Sequence, residues 1–318
     1  MIRVGVVGVG AFGQNHLRVI RESARAELAG VLDIDTTKAE ATGARVFRSL
    51  DDMAANVDAA IVASPTTTHA DVGCALLNAG IDVMVEKPIA PTLAEAERLV
   101  AAAGTGRILQ VGHLERFNPA VLAMRKHVTT PLFFEIHRMS LFTPRSLDVD
   151  VVLDLMIHDI DLVLDMVGQE PEEIRAAGIA ILSKKVDIAN VRLAFPSGCV
   201  ANLTASRVST EKVRKVRLFQ PHQYISIDYA RQDGVLISVS PTQQIGFNQL
   251  AAPKVEPLKA QFESFLDSIE TRNKPLVGGV EATGALRVAV DILAKIEEHA
   301  QVVARTLSDE AGGNTHGN

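Results

Sequence analysis

The opening stretch Ile2-Arg-Val-Gly-Val-Val-Gly8-Val-Gly10-Ala-Phe-Gly13 constrains this chain more than any other segment. An apolar run of strand type enters a turn with G-x-G-x-x-G spacing and leaves it on a helical pattern. Twenty residues past the last glycine, Val31-Leu32 ends in Asp33. That is the layout of a dinucleotide-binding βαβ unit. Gly8 permits the tight turn out of the strand. Gly10 removes a side chain where backbone must approach a pyrophosphate, and Gly13 lets the helix pack close to the sheet. Ala11 and Phe12 lie between these glycines, at a helix N-terminus whose N–H groups suit an anion. Asp33 can accept hydrogen bonds from the adenosine ribose hydroxyls. An ordinary glycine-rich turn would show the glycines alone; strand, helix and acid together favour the nucleotide.

The length of 318 residues is enough for a large core and suggests two domains. Apolar content of 47% and charged content of 22% are those of a soluble globular protein. Net charge is −6, and the nearest approach to a basic stripe is the mixed run Glu211-Lys-Val-Arg-Lys215, which argues against nucleic acid as partner. No apolar stretch reaches the eighteen or so residues of a membrane span. The chain opens directly on a strand pattern, so we expect no leader and a cytoplasmic protein. Cys74 and Cys199 lack metal-type spacing and read as two small hydrophobes in a reducing compartment. No metal is expected.

The first third alternates strand and helix. Strands are expected at 3–9, 27–33, 59–63, 82–85 and 108–111, with helices at 13–23, 37–42, 69–79 and 93–103 between them. Such alternation implies a parallel sheet with helices on both faces. After Pro119 the texture changes. A helix at 120–128 precedes strands at 132–140, 173–180, 190–195, 199–206, 215–219, 224–228 and 235–238, interrupted by a helix at 151–167. Helices at 262–271 and 281–299 follow. Strands in series imply an antiparallel sheet. The expected organisation is therefore a nucleotide-binding α/β domain at 1–119, an α+β domain with a mostly antiparallel sheet at 120–304, and a polar, Gly-rich disordered tail at 305–318 that includes His316.

Three constellations carry chemistry. Glu86-Lys87-Pro88 ends a predicted strand, where ligands bind in open parallel sheets. A lysine there can hydrogen-bond a substrate hydroxyl and stabilise charge during proton transfer, although a surface Glu-Lys pair ahead of a helix would read the same way. Asp154-Leu-Met-Ile-His158-Asp-Ile-Asp161 places Asp154 and His158 four apart on one helix face, with Asp161 three further on. A carboxylate beside an imidazole suits a general base near neutral pH; a structural histidine on an apolar helix is the alternative. Ser64-Pro65-Thr66-Thr-Thr-His69 follows another strand end and can reach ribose or phosphate, or simply cap a helix. His113, near the expected domain boundary, is a further candidate for substrate contact.

Taken together, GVGAFG at 8–13, ASPTTTHA at 63–70, EKP at 86–88, VGHLERFNP at 111–119 and DLMIHDID at 154–161 resemble the glucose–fructose oxidoreductase / inositol dehydrogenase / rhizopine catabolism family over nearly the whole chain. The resemblance implies an NAD-binding enzyme that oxidises or reduces sugar and cyclitol hydroxyls, built as an α/β Rossmann domain with a parallel sheet followed by an α+β domain with a large, mostly antiparallel open sheet. It implies Lys87 as the active-site lysine, His158 as the acid/base, Asp154 as its acidic partner and Asp161 as support. Ser64, Pro65, Thr66, His69 and Glu86 would line the cofactor. Many relatives carry a triple glycine before D-x-x-x-H; here the approach is Ser146-Leu-Asp148-Val-Asp-Val-Val-Leu153. That variant resembles the nucleotide-sugar branch, the UDP-N-acetylglucosamine 3-dehydrogenases, and implies oxidation at C3 of that sugar nucleotide. On this view Arg116, Asn118 and Arg207 are candidates for an anionic substrate, because guanidinium matches diphosphate oxygens; structure at the domain junction is their other role. A homo-oligomer formed through the second sheet is expected. Another sugar or inositol dehydrogenase, or a non-catalytic nucleotide-binding regulator, remains open on the sequence.

Overall fold

The computed structural model describes residues 1–143 and 149–313, with 306–313 described by backbone alone. Ser146–Asp148 of the segment before Asp154, and the chain end with His316, lie outside the described residues. Met1–Pro119 and Pro253–Leu286 form one compact unit; Ala120–Ala252 and the chain from Arg287 form the other.

The first unit is the expected α/β domain. Its chain runs β1 (Ile2–Val7), α1 (Ala11–Glu22), β2 (Ala26–Leu32), α2 (Thr36–Ala41), α3 (Leu50–Ala54), β3 (Ala59–Val62), α4 (His69–Asn78), β4 (Asp82–Val85), α5 (Leu93–Ala103) and β5 (Leu109–Val111). The strands form a parallel sheet in the order β2-β1-β3-β4-β5. β3 and β4 are buried at every position, as strands covered on both faces must be. A single parallel bridge, Val31↔Val46, adds a vestigial strand outside β2. Counting it, the order is that of a doubly wound dinucleotide fold, 3-2-1-4-5-6. Helix starts follow local chemistry: Asp35, Ser49 and Thr92 each accept a hydrogen bond from the N–H three residues on. The short α3 was not foreseen, since five residues show too little periodicity.

The second unit holds α6 (Pro119–Arg125) from its second residue on, β6 (Phe133–Leu141), α7 (Ile157–Val167), β7 (Glu173–Ile179), β8 (Ile188–Ala194), β9 (Val200–Ser209), β10 (Val213–Gln220), β11 (Gln223–Asp228), β12 (Asp233–Val239) and β13 (Ile245–Leu250). The eight strands pair in the order β13-β12-β11-β10-β6-β9-β8-β7. All neighbours are antiparallel except β6 and β9. The inner face is apolar, with Phe134, Ile136, Leu203, Val216, Leu218 and Ile225 buried. The outer face is half-exposed and crossed by one row in register: Phe133, Phe219, Tyr224, Ile237 and Phe247. The first three rings pack tilted against one another, with centroids 5.6 and 5.0 Å apart.

Two expectations need correction. Helix α8 (Pro257–Thr271) starts five residues before the predicted 262 and belongs to the first unit, not the second. Phe262, Phe265 and Leu266, on one face of it, complete the core formed by Val4, Val6, Leu17, Ile20 and Met84. That apolar stripe had to be covered, and the chain returns to the first sheet to cover it. Helix α9 (Gly279–Gly313) is longer than predicted, so 305–313 are helical rather than disordered. No Pro or Gly stands between Gly284 and Gly312 to stop propagation. No helix of the described residues is long and apolar enough to cross a membrane.

Candidate active site

β1, β3, β4 and β5 end side by side at the carboxyl edge of the first sheet. Their neighbouring backbones are bonded: Ala63 N–H donates to Val7 O, Glu86 N–H to Val62 O, and Gly112 N–H to Val85 O. The glycine turn, the Ser64 loop, the Glu86-Lys87 turn and the segment from Gly112 are therefore four adjacent loops. The strand order reverses between β1 and β3, which is where open α/β sheets hold ligands.

The glycine turn fits a dinucleotide. Gly8 has φ +87°, and a Cβ there would lie 2.6 Å from the Ser64 nitrogen; a Cβ on Gly13 would meet Gly8 O at 2.0 Å. Both glycines are demanded by the protein itself. Gly10 is different: nothing lies within 4 Å of its virtual Cβ. The protein leaves that space open, as a pyrophosphate approaching the backbone requires. The first bond of α1 runs from Gln14 N–H to Gly10 O, so the N–H groups of Ala11, Phe12 and Gly13 have no partner within the helix. Phe12 is solvent-exposed beside them. Asp33 stands at the end of β2 and accepts from Val9 N–H at 2.7 Å and Asp35 N–H at 2.9 Å. Each carboxylate oxygen is thus held in place and keeps a lone pair for a ribose hydroxyl. NAD would sit with its diphosphate over this turn and its adenosine ribose at Asp33.

At the next strand end, Glu86 and Lys87 are half-buried, and the Lys87–Pro88 peptide is cis. The Glu86 carboxylate faces His16 Nε2 at 2.7 Å and accepts Lys87 N–H at 3.2 Å. Burial works to raise Glu86, but the hydrogen bond and charge of His16 and then the Lys87 charge outweigh it and hold the carboxyl below its usual range. Behind Lys87, buried His113 is pushed down to about 3, first by burial and then by the charges of Lys87 and Arg116, so it is a neutral imidazole. His69 is also buried. Its ring nitrogens lie 3.0 Å from Pro88 O and 2.9 Å from Ser64 O. It joins the Ser64 loop to the Lys87–Pro88 turn from behind instead of facing the loop surface. Ser64 Oγ and Thr68 Oγ1 are 2.7 Å apart, and Thr68 Oγ1 donates to Pro65 O. Pro65 is exposed and Thr66 half-buried at the same turn.

In the second unit, Val152–Met156 is a single π-helical turn leading into α7, with Ile157 N–H bonded to Val152 O. A π turn carries one more residue than an α turn, and such bulges recur at functional sites. The expected four-residue stacking of Asp154 and His158 on a uniform helix is thereby modified, because the extra residue rotates Asp154 about the axis relative to His158. Both are half-buried, whereas Asp161 is buried. Next to His158, Asp159 is 1% exposed and takes a bidentate pair from Arg138, at 2.8 and 2.7 Å. Tyr229 donates its hydroxyl to the same carboxylate at 3.2 Å, and the guanidinium stacks over its ring. This triad bolts the His158 turn to β6. It was missed on the sequence, although Arg138 shares the inward face of β6 with Phe134 and Ile136, and an arginine there demands a buried partner.

The three candidates for an anionic substrate are all buried. Arg116 donates to Leu276 O at 3.2 Å, and Asn118 to Glu115 at 3.2 Å. Arg207 donates to Val149 O and faces Asp187 at 3.6 Å. These hydrogen bonds all run to groups of the residue's own unit. His16 was not among the candidates read from the sequence; it falls on the buried stripe of α1 with Leu17, Val19 and Ile20, and a histidine on such a stripe is the signal that could have found it. Among the described residues, no cluster of three or more His, Cys, Asp or Glu could hold a metal ion.

Comparison with known proteins agrees with this geometry. Residues 2–113 match the family model described as GFO/IDH/MocA, an oxidoreductase family with an NAD-binding Rossmann fold, and 94–222 match the GFO/IDH/MocA C-terminal domain. The UDP-N-acetylglucosamine 3-dehydrogenase of Acidithiobacillus ferrooxidans is 34% identical over 314 residues, covering 94% of this chain and 99% of the relative. Its crystal structure superposes with a TM-score of 0.88 over 93% of this chain and 98% of that one. The inositol 2-dehydrogenase of Rhizobium meliloti is 27% identical, covering 95% of this chain and 98% of the relative.

Proposed function

This chain belongs to the GFO/IDH/MocA oxidoreductase family, with an NAD-binding Rossmann domain, and from that premise we propose that it oxidises C3 of UDP-N-acetylglucosamine with NAD. The observation that carries the substrate is the end-to-end likeness to an enzyme bearing that name, in sequence and in fold.

His158 takes the proton of the reacting hydroxyl, and Asp154 favours the protonated imidazole that results. The Lys87 ammonium hydrogen-bonds the same oxygen and stabilises charge developing on it. Bound NAD supplies a nicotinamide C4 that accepts hydride. The remaining work is alignment, which the glycine turn and Asp33 supply for the cofactor. A diphosphate remote from the reacting carbon adds binding energy that positions the sugar, so free N-acetylglucosamine is a poor substitute. Lys87→Ala and His158→Ala should each fold and bind NAD yet lose roughly 10²–10⁴-fold in turnover. Their effects should be less than additive, since both act on one hydroxyl.

The deciding experiment uses UDP-N-acetylglucosamine deuterated at C3 or at C4. C3 deuterium should slow single-turnover hydride transfer and appear in the reduced nicotinamide; C4 deuterium should do neither. Transfer from C4 refutes the carbon assignment. Faster turnover of myo-inositol than of any nucleotide sugar would favour a second reading, a cyclitol dehydrogenase, which the inositol dehydrogenase relatives support. NAD binding with no turnover of any sugar would leave a regulatory protein, against which the retention of Lys87, Asp154 and His158 argues.

The protein self-associates in this reading through the outer face of the second sheet. Five apolar side chains in register, with Phe247 67% exposed and Phe219 37% exposed, are unusual on a face left to water. Light scattering should give a mass above the monomer's 34.1 kDa, and Phe219→Asp with Phe247→Asp should lower it.

A further inference from the structure

We propose that His16 is a positioning residue for the Glu86-Lys87 turn: from inside the helix that follows the glycine turn, it fixes the Glu86 carboxylate, which in turn holds the backbone of Lys87. The inference rests on the reading that Lys87 works on the reacting hydroxyl.

The geometry is confined to the first unit. His16 is fully buried on α1, and its Nε2 lies 2.7 Å from Glu86 Oε1. Its Nδ1 is buried and has no hydrogen-bond partner among the described residues. A carboxylate oxygen can only accept, so His16 Nε2 is the donor. The second oxygen, Oε2, accepts Lys87 N–H at 3.2 Å. Gly112 closes the other side, since a Cβ there would stand 2.7 Å from Oε2 and 3.0 Å from the carboxyl carbon. Glu86 thus has one place to be. The element carrying the dinucleotide turn and the turn carrying Lys87 are joined through one carboxylate.

The charged and titratable groups acting on Glu86 are His16 from α1, His69 from α4, Lys87 of its own turn and His113 beyond β5. Of these, His16 bonds the carboxylate directly. Removing its donor leaves burial, which favours the neutral acid, opposed mainly by Lys87. A protonated Glu86 loses its negative charge beside Lys87 and its hold on the turn.

The test uses the full chain. In His16→Leu the donor is gone; in His16→Gln an amide donor remains. Without cofactor, the ¹³C carboxyl signal of Glu86, assigned through Glu86→Gln, should titrate about one to two pH units higher in His16→Leu, the worth of a hydrogen bond to a charged group. It should return towards wild type in His16→Gln. In turnover assays the loss in His16→Leu should fall in kcat with little change in KM for the sugar, and should grow by about tenfold per pH unit below the new midpoint. A purely structural role would lower the unfolding temperature without moving the Glu86 midpoint or tilting the pH profile. An unmoved midpoint in folded His16→Leu, or equal impairment in His16→Gln, overturns the proposal. If His16→Leu does not fold, Gly112→Ala displaces Oε2 from the opposite side. The acid side of its pH profile should then weaken, and an unchanged profile is equally fatal. A wild type that turns over no sugar while its Glu86 midpoint still answers to His16 would refute the proposed function and leave this hydrogen-bonded link intact.

Discussion

Replacing Asp159 by Asn would leave the Arg138 guanidinium, 2% exposed, without its counter-charge in the core of the second unit. Removing one partner of a buried pair costs about 3–5 kcal/mol, because the remaining charge is uncompensated. Tyr229 would also lose a charged acceptor at 3.2 Å, which lies within the same figure. Arg138→Met should cost a similar amount for the mirror reason. The double variant Arg138→Met/Asp159→Leu should cost far less than the sum, since a buried pair replaced by apolar side chains of similar volume is often neutral. The chain itself provides the assay. It has no tryptophan and two tyrosines, Tyr224 and Tyr229, both in the second unit. Tyrosine emission during urea unfolding therefore follows that unit selectively. With a slope of about 2 kcal/mol per molar urea, each single variant should lower the midpoint by about 1.5–2.5 M. Singles that cost under about 1 kcal/mol, or costs that simply add in the double variant, would refute the claim that this pair anchors the His158 turn.

Gly13→Ala should destabilise the first unit by about 1–3 kcal/mol, since its Cβ would collide with Gly8 O. Gly10→Ala should unfold within about 1 kcal/mol of wild type yet bind NAD about tenfold more weakly or worse; calorimetric titration and thermal unfolding separate the two, and tight NAD binding by Gly10→Ala would contradict the open cradle. NAD should be preferred to NADP, because Asp33 would repel a 2′-phosphate; Asp33→Ser should narrow the ratio of catalytic efficiencies, and equal efficiencies in the wild type would defeat the claim. Asp187 is fully buried, which works to raise its pKa, but the hydrogen bonds from the Ser183 backbone and hydroxyl and the Ile181 and Leu182 N–H groups outweigh burial and hold it at about 2. A carboxyl lowered on folding stabilises above its unfolded pKa and loses that contribution as pH falls through the folded one. Asp187 should thus contribute about 2–3 kcal/mol at neutral pH, lost between about pH 4 and pH 2. Urea midpoints of Asp187→Asn should converge on wild type below pH 2, and a constant gap across that range would count against it.

What the sequence determined by itself was local or periodic. Glycine spacing, an acid at the next strand end and alternating elements are encoded within thirty or so residues, and backbone sterics convert them into a βαβ unit wherever they occur. The placing of Lys87 just past a strand end and of His158 on a helix was legible for the same reason: each lies in a short segment whose element ends were marked. Contacts between distant segments were not legible. Nothing near Phe262 indicates that α8 would return to the first sheet, because an apolar stripe states only that it must be covered and not by what. Asp159 acquires its partners from β6 and Tyr229, which lie 21 and 70 residues away. Arg116, Asn118 and Arg207 carried the right chemistry for a phosphate, but their burial and their hydrogen bonds to protein groups could be read only from the fold. A side chain's chemistry is fixed by its type, whereas its role depends on which groups desolvate and neutralise it, and those are chosen by long-range packing.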